Sequence, residues 1–223
     1  MKTLTQTISL EKYSGRENDL KNKFNSHLTA LTGIENNYFS NLKIEDLISL
    51  KNVLSDINNL LTLRTSIAAG NWLSDFFNFD ENATKSIIDR IDQAKPNTNG
   101  FDIRIESPLK IIAEIKCISP INGKDRYGPA QWNTILDDVI KLKTGKKECP
   151  DTSNYYKFLF LIDLGERTDR ALIKMINQNP NTSLENRNQK RHEYKQHLEM
   201  LSDSTQPEAL ALEKVYVRTI KIA

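Results

Sequence analysis

Asp102, Glu114 and Lys116 are the residues of this chain whose types and spacing can do chemistry together. The stretch 101–106 alternates apolar and polar residues, the period of a strand, Ser107-Pro108 reads as a turn, and 109–118 reads as a second strand. With the turn centred on Pro108, Glu106 faces Lys110, Arg104 faces Ile112 and Asp102 faces Glu114. Side chains alternate faces along a strand, so Asp102, Glu114 and Lys116 share one face, and Leu109, Ile111, Ala113, Ile115 and Cys117 form an apolar face opposite. Residues directly across a hairpin hold their Cβ atoms about 5 Å apart, and like charges placed so repel. Two opposed carboxylates therefore call for something positive between them, and a hard divalent cation with oxygen ligands fits. Lys116, roughly 6–7 Å further along the strand, can hold a water or a phosphate oxygen beside that cation. Such a set can direct hydroxide at a phosphodiester and stabilise the charge that develops.

Acid-any-lysine alone is a common string. It occurs here as Asp19-Leu20-Lys21, Glu114-Ile115-Lys116 and Glu193-Tyr194-Lys195. The outer two fall in charged, helical-looking stretches without a partner strand. Only the middle one lies in an apolar strand with an acid across a tight hairpin. The competing explanation is an exposed sheet face whose charges only keep it in solution.

The pattern resembles the PD-(D/E)XK nuclease superfamily, in which an acid on one strand precedes acid-any-lysine on the next. The resemblance covers roughly residues 84–164. It implies a restriction-endonuclease-like α/β fold, a mixed sheet flanked by helices, here with a helical N-terminal half. Phe101 stands where the family pattern has a proline, and helix and loop occupy the place of the meander's first strand. By resemblance, Asp102 and Glu114 are metal ligands with the Ile115 carbonyl as a third, and Lys116 orients or activates the water. The cofactor implied is Mg2+, with Mn2+ able to substitute. The activity implied is endonucleolytic cleavage of double-stranded DNA, most like that of a type II restriction endonuclease working as a homodimer. Repair, resolvase-like and toxin nucleases share the hairpin, and a catalytically idle DNA-binding module of the same fold is the reading from outside enzymology.

The elements that must position this hairpin can be read around it. Helices are expected over 17–31, from Leu42 to a break at Gly70 with Asn41 or Asp46 as cap, and over 84–94 with Ile87, Ile88 and Ile91 as its stripe. An amphipathic helix is expected over 130–143, a doubly buried strand over 155–164, a helix over 168–178, a loop over 179–187, a charged helix to about Leu201 and a last strand over 214–222. The whole reads as one nuclease domain, with a helical N-terminal region over 1–83, a catalytic core over 84–164 and C-terminal elements over 165–223.

Phosphate contacts are expected from Lys124 and Arg126 in the loop after the second strand, and DNA contacts also from Arg104 and Gln131. Lys141, Lys143, Lys146 and Lys147 suit either phosphate binding or the C-terminal end of a helix. The run Arg187-Asn188-Gln189-Lys190-Arg191 suits DNA or plain solvation. His192 and His197 are five apart and do not share a helical face. Trp72, Phe76, Phe77 and Phe79 could supply a dimer interface or core.

Composition narrows the classes. A net charge of +2, 38% hydrophobic residues and 27% charged residues suit a globular chain without a dominating field. No apolar run approaches the roughly 20 residues of a membrane span, the start lacks a signal-peptide core, and no phosphate-cradling glycine loop is present. Cys117 and Cys149 have no metal-ligand spacing, so the expectation is a cytoplasmic protein with no membrane partner.

Overall fold

The computed structural model describes residues 14–94, 99–121, 124–177, 193 and 195–222. The chain divides into two compact units, Met1–Asp56 and Ile57–Ala223. The first holds α1 (Ser14–Thr32), a 3-10 turn (Tyr38–Asn41) and the start of α2 (Ile44–Phe76). α1 ends at Gly33, whose φ of 71° is the left-handed value that stops a helix. Asn25 ties the turn to α1 by accepting from Phe39 N–H at 2.9 Å, and Phe24 meets Phe39 edge-on. At the start of α2, the Asp46 carboxylate accepts from Lys43 N–H at 2.8 Å, the backward half of a capping box.

The second unit is an α/β sandwich. Its elements are the rest of α2, then α3 (Glu81–Gln93), β1 (Ile103–Ile105), β2 (Ile111–Lys116), α4 (Pro129–Thr144), β3 (Tyr156–Ile162), α5 (Glu166–Asn177), β4 (Leu198–Met200) and β5 (Val215–Ile220). The sheet order is β1-β2-β3-β5-β4, with β1 antiparallel to β2 and the other pairs parallel. Both faces are covered. Ile135, Val139 and Leu142 of α4 and Ala171, Leu172 and Met175 of α5 pack with Ile112, Leu159 and Leu161 on one side. Ala69 and Leu73 of α2 and Ile87 and Ile91 of α3 pack with Ile103, Ile111, Ala113, Ile115, Phe158 and Phe160 on the other. The apolar face expected of the hairpin is thus a core face.

Several expectations are corrected. Gly70 does not break α2; a Cβ there would sit 2.7 Å from Ile91 Cδ1, so its lack of a side chain lets α3 pack against the helix. Leu198–Met200 is not the end of a charged helix but an edge strand paired with Val215–Val217, because a free parallel edge of β5 outweighs local helix propensity. β1 is only three residues long, and among the described residues no strand precedes it. Of the aromatic run read as interface or core, Trp72 and Phe77 pack on the sheet, with ring centres 5.7 Å from Phe160 and 6.1 Å from Phe158. The loop expected over 179–187, the run 187–191 and His192 lie outside the described residues. Among the described residues no helix is long and apolar enough to cross a membrane.

Candidate active site

The hairpin has the register expected of it. Ile103 faces Ala113, Arg104 faces Ile112 and Ile105 faces Ile111. Continued by one pair, that register sets Asp102 against Glu114. Asp102 stands just before β1, and its Oδ2 accepts from Ile115 N–H at 2.7 Å, which ties the two strands beyond the ladder. Glu114 and Lys116 lie on the β2 face that looks toward α4. That face is not open: Glu114 is only 5% exposed. Charges that merely solubilise a surface would not be buried, so the explanation by solvation fails for Glu114.

A cleft of about 690 Å³ gathers these groups. Asp102, Glu114, Ile115 and Lys116 form its floor, Asp138 and Lys141 of α4 one wall, and Asn58, Asn59 and Thr62 of α2 another. Lys146, just past α4, closes one end. Its ammonium pairs with Glu114 Oε1, donates to the Gly100 carbonyl at 2.6 Å and lies 5.0 Å from the centre of the Phe101 ring. Gly145 makes this placement possible, since its φ is 89° and a Cβ would meet the Pro150 carbonyl oxygen at 2.4 Å. Lys116 Nζ lies 2.6 Å from Asp138 Oδ2, and Lys141 Nζ donates to Asp138 Oδ1 at 2.7 Å.

The electrostatics follow from this crowding. Burial first, and next the negative charge of Asp102, push the Glu114 carboxyl up to about 7, against the pull of Lys146. One positive charge at the opposed acids is supplied by Lys146, which pairs with Glu114. Glu114 Oε1 and Asp138 Oδ2 are buried and meet their lysines as charges without well-angled hydrogen bonds. Among the described residues no three acidic, histidine or cysteine side chains form a ready metal cage. The donors that remain, two close carboxylates and a strand carbonyl, fit a hard cation completed by water or phosphate oxygens. Glu114 Oε1, which has an ion pair but no well-angled hydrogen bond, is the atom such a cation would satisfy in place of Lys146.

The residues expected to touch DNA are not all placed alike. Lys124 and Arg126 are exposed on the loop after β2, outside the cleft lining. That loop is held by α5: Arg167 donates to the Ile121 carbonyl at 3.0 Å, and Arg170 pairs with Asp125 at 3.0 Å. Arg104 is also exposed, but it pairs with Glu106 at 2.6 Å and donates to the Glu148 carbonyl at 2.9 Å. Gln131 is engaged at both ends, accepting from Gly128 N–H at 2.8 Å and donating to the Ser119 carbonyl at 2.7 Å, so it caps α4 and braces the loop. Asp19 and Lys21 of the first acid-any-lysine string lie on a helix, α1, not on a strand.

Sequence reasoning missed Asp138 and gave Lys146 no place in the site. Asp138 had a signal: Ile135, Val139 and Leu142 are the buried stripe of α4, and Asp138 interrupts it at a core-facing position. Lys146 had none, because its reach to Glu114 depends on how the chain turns at Gly145. No family model, curated protein or solved structure matches the chain.

Proposed function

We propose that this cleft is a metal-dependent phosphodiesterase site and that the chain is a nuclease of the PD-(D/E)XK kind. Within that class the particular reading is a type II restriction endonuclease, a cytoplasmic homodimer that cuts a short site in double-stranded DNA. The observation that carries the reading is the convergence of Asp102, a buried Glu114 and Lys116 on one cleft floor. The order α3, hairpin, crossover helix α4 and parallel β3 supports it, because that is the order of the family core apart from the meander's first strand.

Asp102 and Glu114, with the Ile115 carbonyl, would hold Mg2+ or Mn2+. Bound there, the ion supplies Lewis-acid polarisation of the scissile phosphate and acidifies a water. Lys116 offers a positive N–H donor to that water or to a phosphate oxygen. Without metal the cleft sets three carboxyl groups, Asp102, Glu114 and Asp138, against three lysines, Lys116, Lys141 and Lys146. A divalent cation on the carboxylates leaves that lysine charge in surplus, and a phosphodiester anion is the complement of such a surplus. Lys124 and Arg126, exposed beyond the cleft, suit flanking phosphates.

Digestion of a defined plasmid tests the proposal. With Mg2+ or Mn2+ the expected result is a set of discrete bands, with Ca2+ binding without cutting, and with excess EDTA nothing. A smear or junction-only cutting would replace the restriction reading with a repair, toxin or resolvase-like nuclease. Binding without cutting in any divalent metal would leave an idle DNA-binding module.

A further inference from the structure

Asp138 is unexplained by the proposed roles of Asp102, Glu114 and Lys116. It is 1% exposed, on a helix whose other inward positions are Ile135, Leu136, Val139 and Leu142. Burying a carboxylate costs several kcal/mol even when it is paired, and an apolar residue of similar size commonly serves a fold as well or better. Packing alone therefore gives α4 no reason to carry an acid here. What the acid does touch is specific. One oxygen lies 2.6 Å from Lys116 Nζ and the other accepts from Lys141 at 2.7 Å. Lys116 ends β2, where its four-carbon stem is free to swing unless something holds its head. α4 packs on β2 and β3 through Ile135, Val139 and Leu142, so a carboxylate from it is an anchor held by the core.

We infer that Asp138 is the positioning residue for Lys116: its buried carboxylate fixes the Lys116 ammonium over the cleft floor, beside Asp102 and Glu114, before any substrate arrives. This inference rests on the nuclease reading of the cleft. The cost of the buried charge is then spent on geometry, because a lysine already in place loses little side-chain freedom when the phosphate binds. Lys141 takes up the second oxygen and keeps Asp138 from being drawn into the cleft. Asp138 acts through Lys116 and needs no contact with DNA.

The test uses the full chain with Asp138→Asn, which keeps shape and removes charge. Asp138→Leu, which continues the apolar stripe of α4, guards against loss of the fold. Circular dichroism and thermal melting establish which variants fold. In folded variants, kcat for plasmid cleavage in Mg2+ is expected to fall about 10–100-fold, the usual cost of losing a supporting group, while DNA affinity in Ca2+ stays within about twofold of wild type. A second readout needs no activity. In metal-free protein, acetic anhydride should acetylate Lys116 several-fold faster in Asp138→Asn than in wild type, with exposed Lys85 as the unchanged control. Unchanged Lys116 labelling, or kcat within about twofold of wild type in a folded variant, overturns the inference. A wild-type protein that cuts no DNA overturns the nuclease reading instead, and the labelling alone then decides whether Asp138 holds Lys116.

Discussion

At the scale of single residues, each acid of the cleft has a different neighbour, and their removal should have different costs. Deleting one of two opposed carboxylates relieves repulsion, against the lost Lys146 pair for Glu114 and against a lost backbone tie for Asp102. Asp102 accepts from Ile115 N–H and ties the hairpin. Asp102→Ala should abolish cleavage and also lower metal-free stability by about 1 kcal/mol, the net worth of one hydrogen bond. Glu114→Gln should abolish cleavage with no loss of metal-free stability, since burial first and Asp102 next disfavour the charged form by more than Lys146 favours it. Paired plasmid assays and urea melts check both, and near-normal cleavage by Glu114→Gln would reject the site. Another buried charge lies elsewhere. Lys157 on β3 is enclosed and donates to the carbonyls of Tyr155 at 2.8 Å and Leu212 at 2.6 Å. Burial first, and next the Lys143 charge, hold its ammonium down at about 8. An unfolded lysine titrates near 10.4, so between these values the unfolded chain binds a proton that the fold does not. Stability from this group therefore rises with pH across that window, by about 3 kcal/mol at most. Melting of wild type against Lys157→Met should show wild type gaining on the variant between about pH 8 and 10. A constant difference would mean that Lys157 titrates normally.

At the scale of elements, α4 and the turn after it assemble the site. Pro129 opens the helix where a missing N–H costs nothing, and Gln131 holds the preceding Gly128 N–H. The far end depends on Gly145, whose φ of 89° and ψ of 170° form a conformation nearly reserved to glycine. Its hydrogen-bonded return brings Lys146 against Glu114 and Gly100. Gly145→Ala adds backbone strain and a clash with two carbonyls, so we expect a loss of about 3 kcal/mol or more. For a protein of this size that lowers the melting temperature by roughly 6 °C or more. Differential scanning calorimetry checks it, and a shift within error would mean the turn can rearrange without cost.

At the scale of the whole molecule, cutting both strands of DNA needs two active sites or one that rebinds. Twofold protein symmetry matched to a palindromic site meets that need with one interface. Trp72 and Phe77 are partly taken up by the sheet, packing with Tyr156, Phe158 and Phe160, and Phe76 and Phe79 stack on them. The first unit offers another surface: Ile44, Ile48, Val53 and Leu54 of α2 are exposed. Apolar residues grouped on one helix are the usual material of protein interfaces. Light scattering of the protein with Ca2+ and cognate duplex should give two chains per DNA, and Leu54→Glu should reduce that mass without unfolding the chain. One chain per duplex in the wild type would replace the dimer with a monomer that nicks each strand in turn.

Local pattern was enough for most of the elements and for the hairpin. Period-2 alternation through 101–106 and the Ser107-Pro108 turn dictate the register, because slipping it by one residue would turn Ile111, Ala113 and Ile115 out of the core. That register already opposes Asp102 to Glu114 and puts Lys116 beside them, so the floor of the site was legible. Its walls were not. Asp138 reaches Lys116 across the gap between α4 and β2, and Lys146 reaches Glu114 around the turn at Gly145. Neither distance is written in local spacing, since both depend on how the helix seats on the sheet. The same holds for Leu198–Met200, whose helix-like composition yielded to a free strand edge on β5. Spacing settles which side chains share a face. Only packing settles what closes over that face, and here it brought a buried acid and a lysine that no stretch of sequence places there by itself.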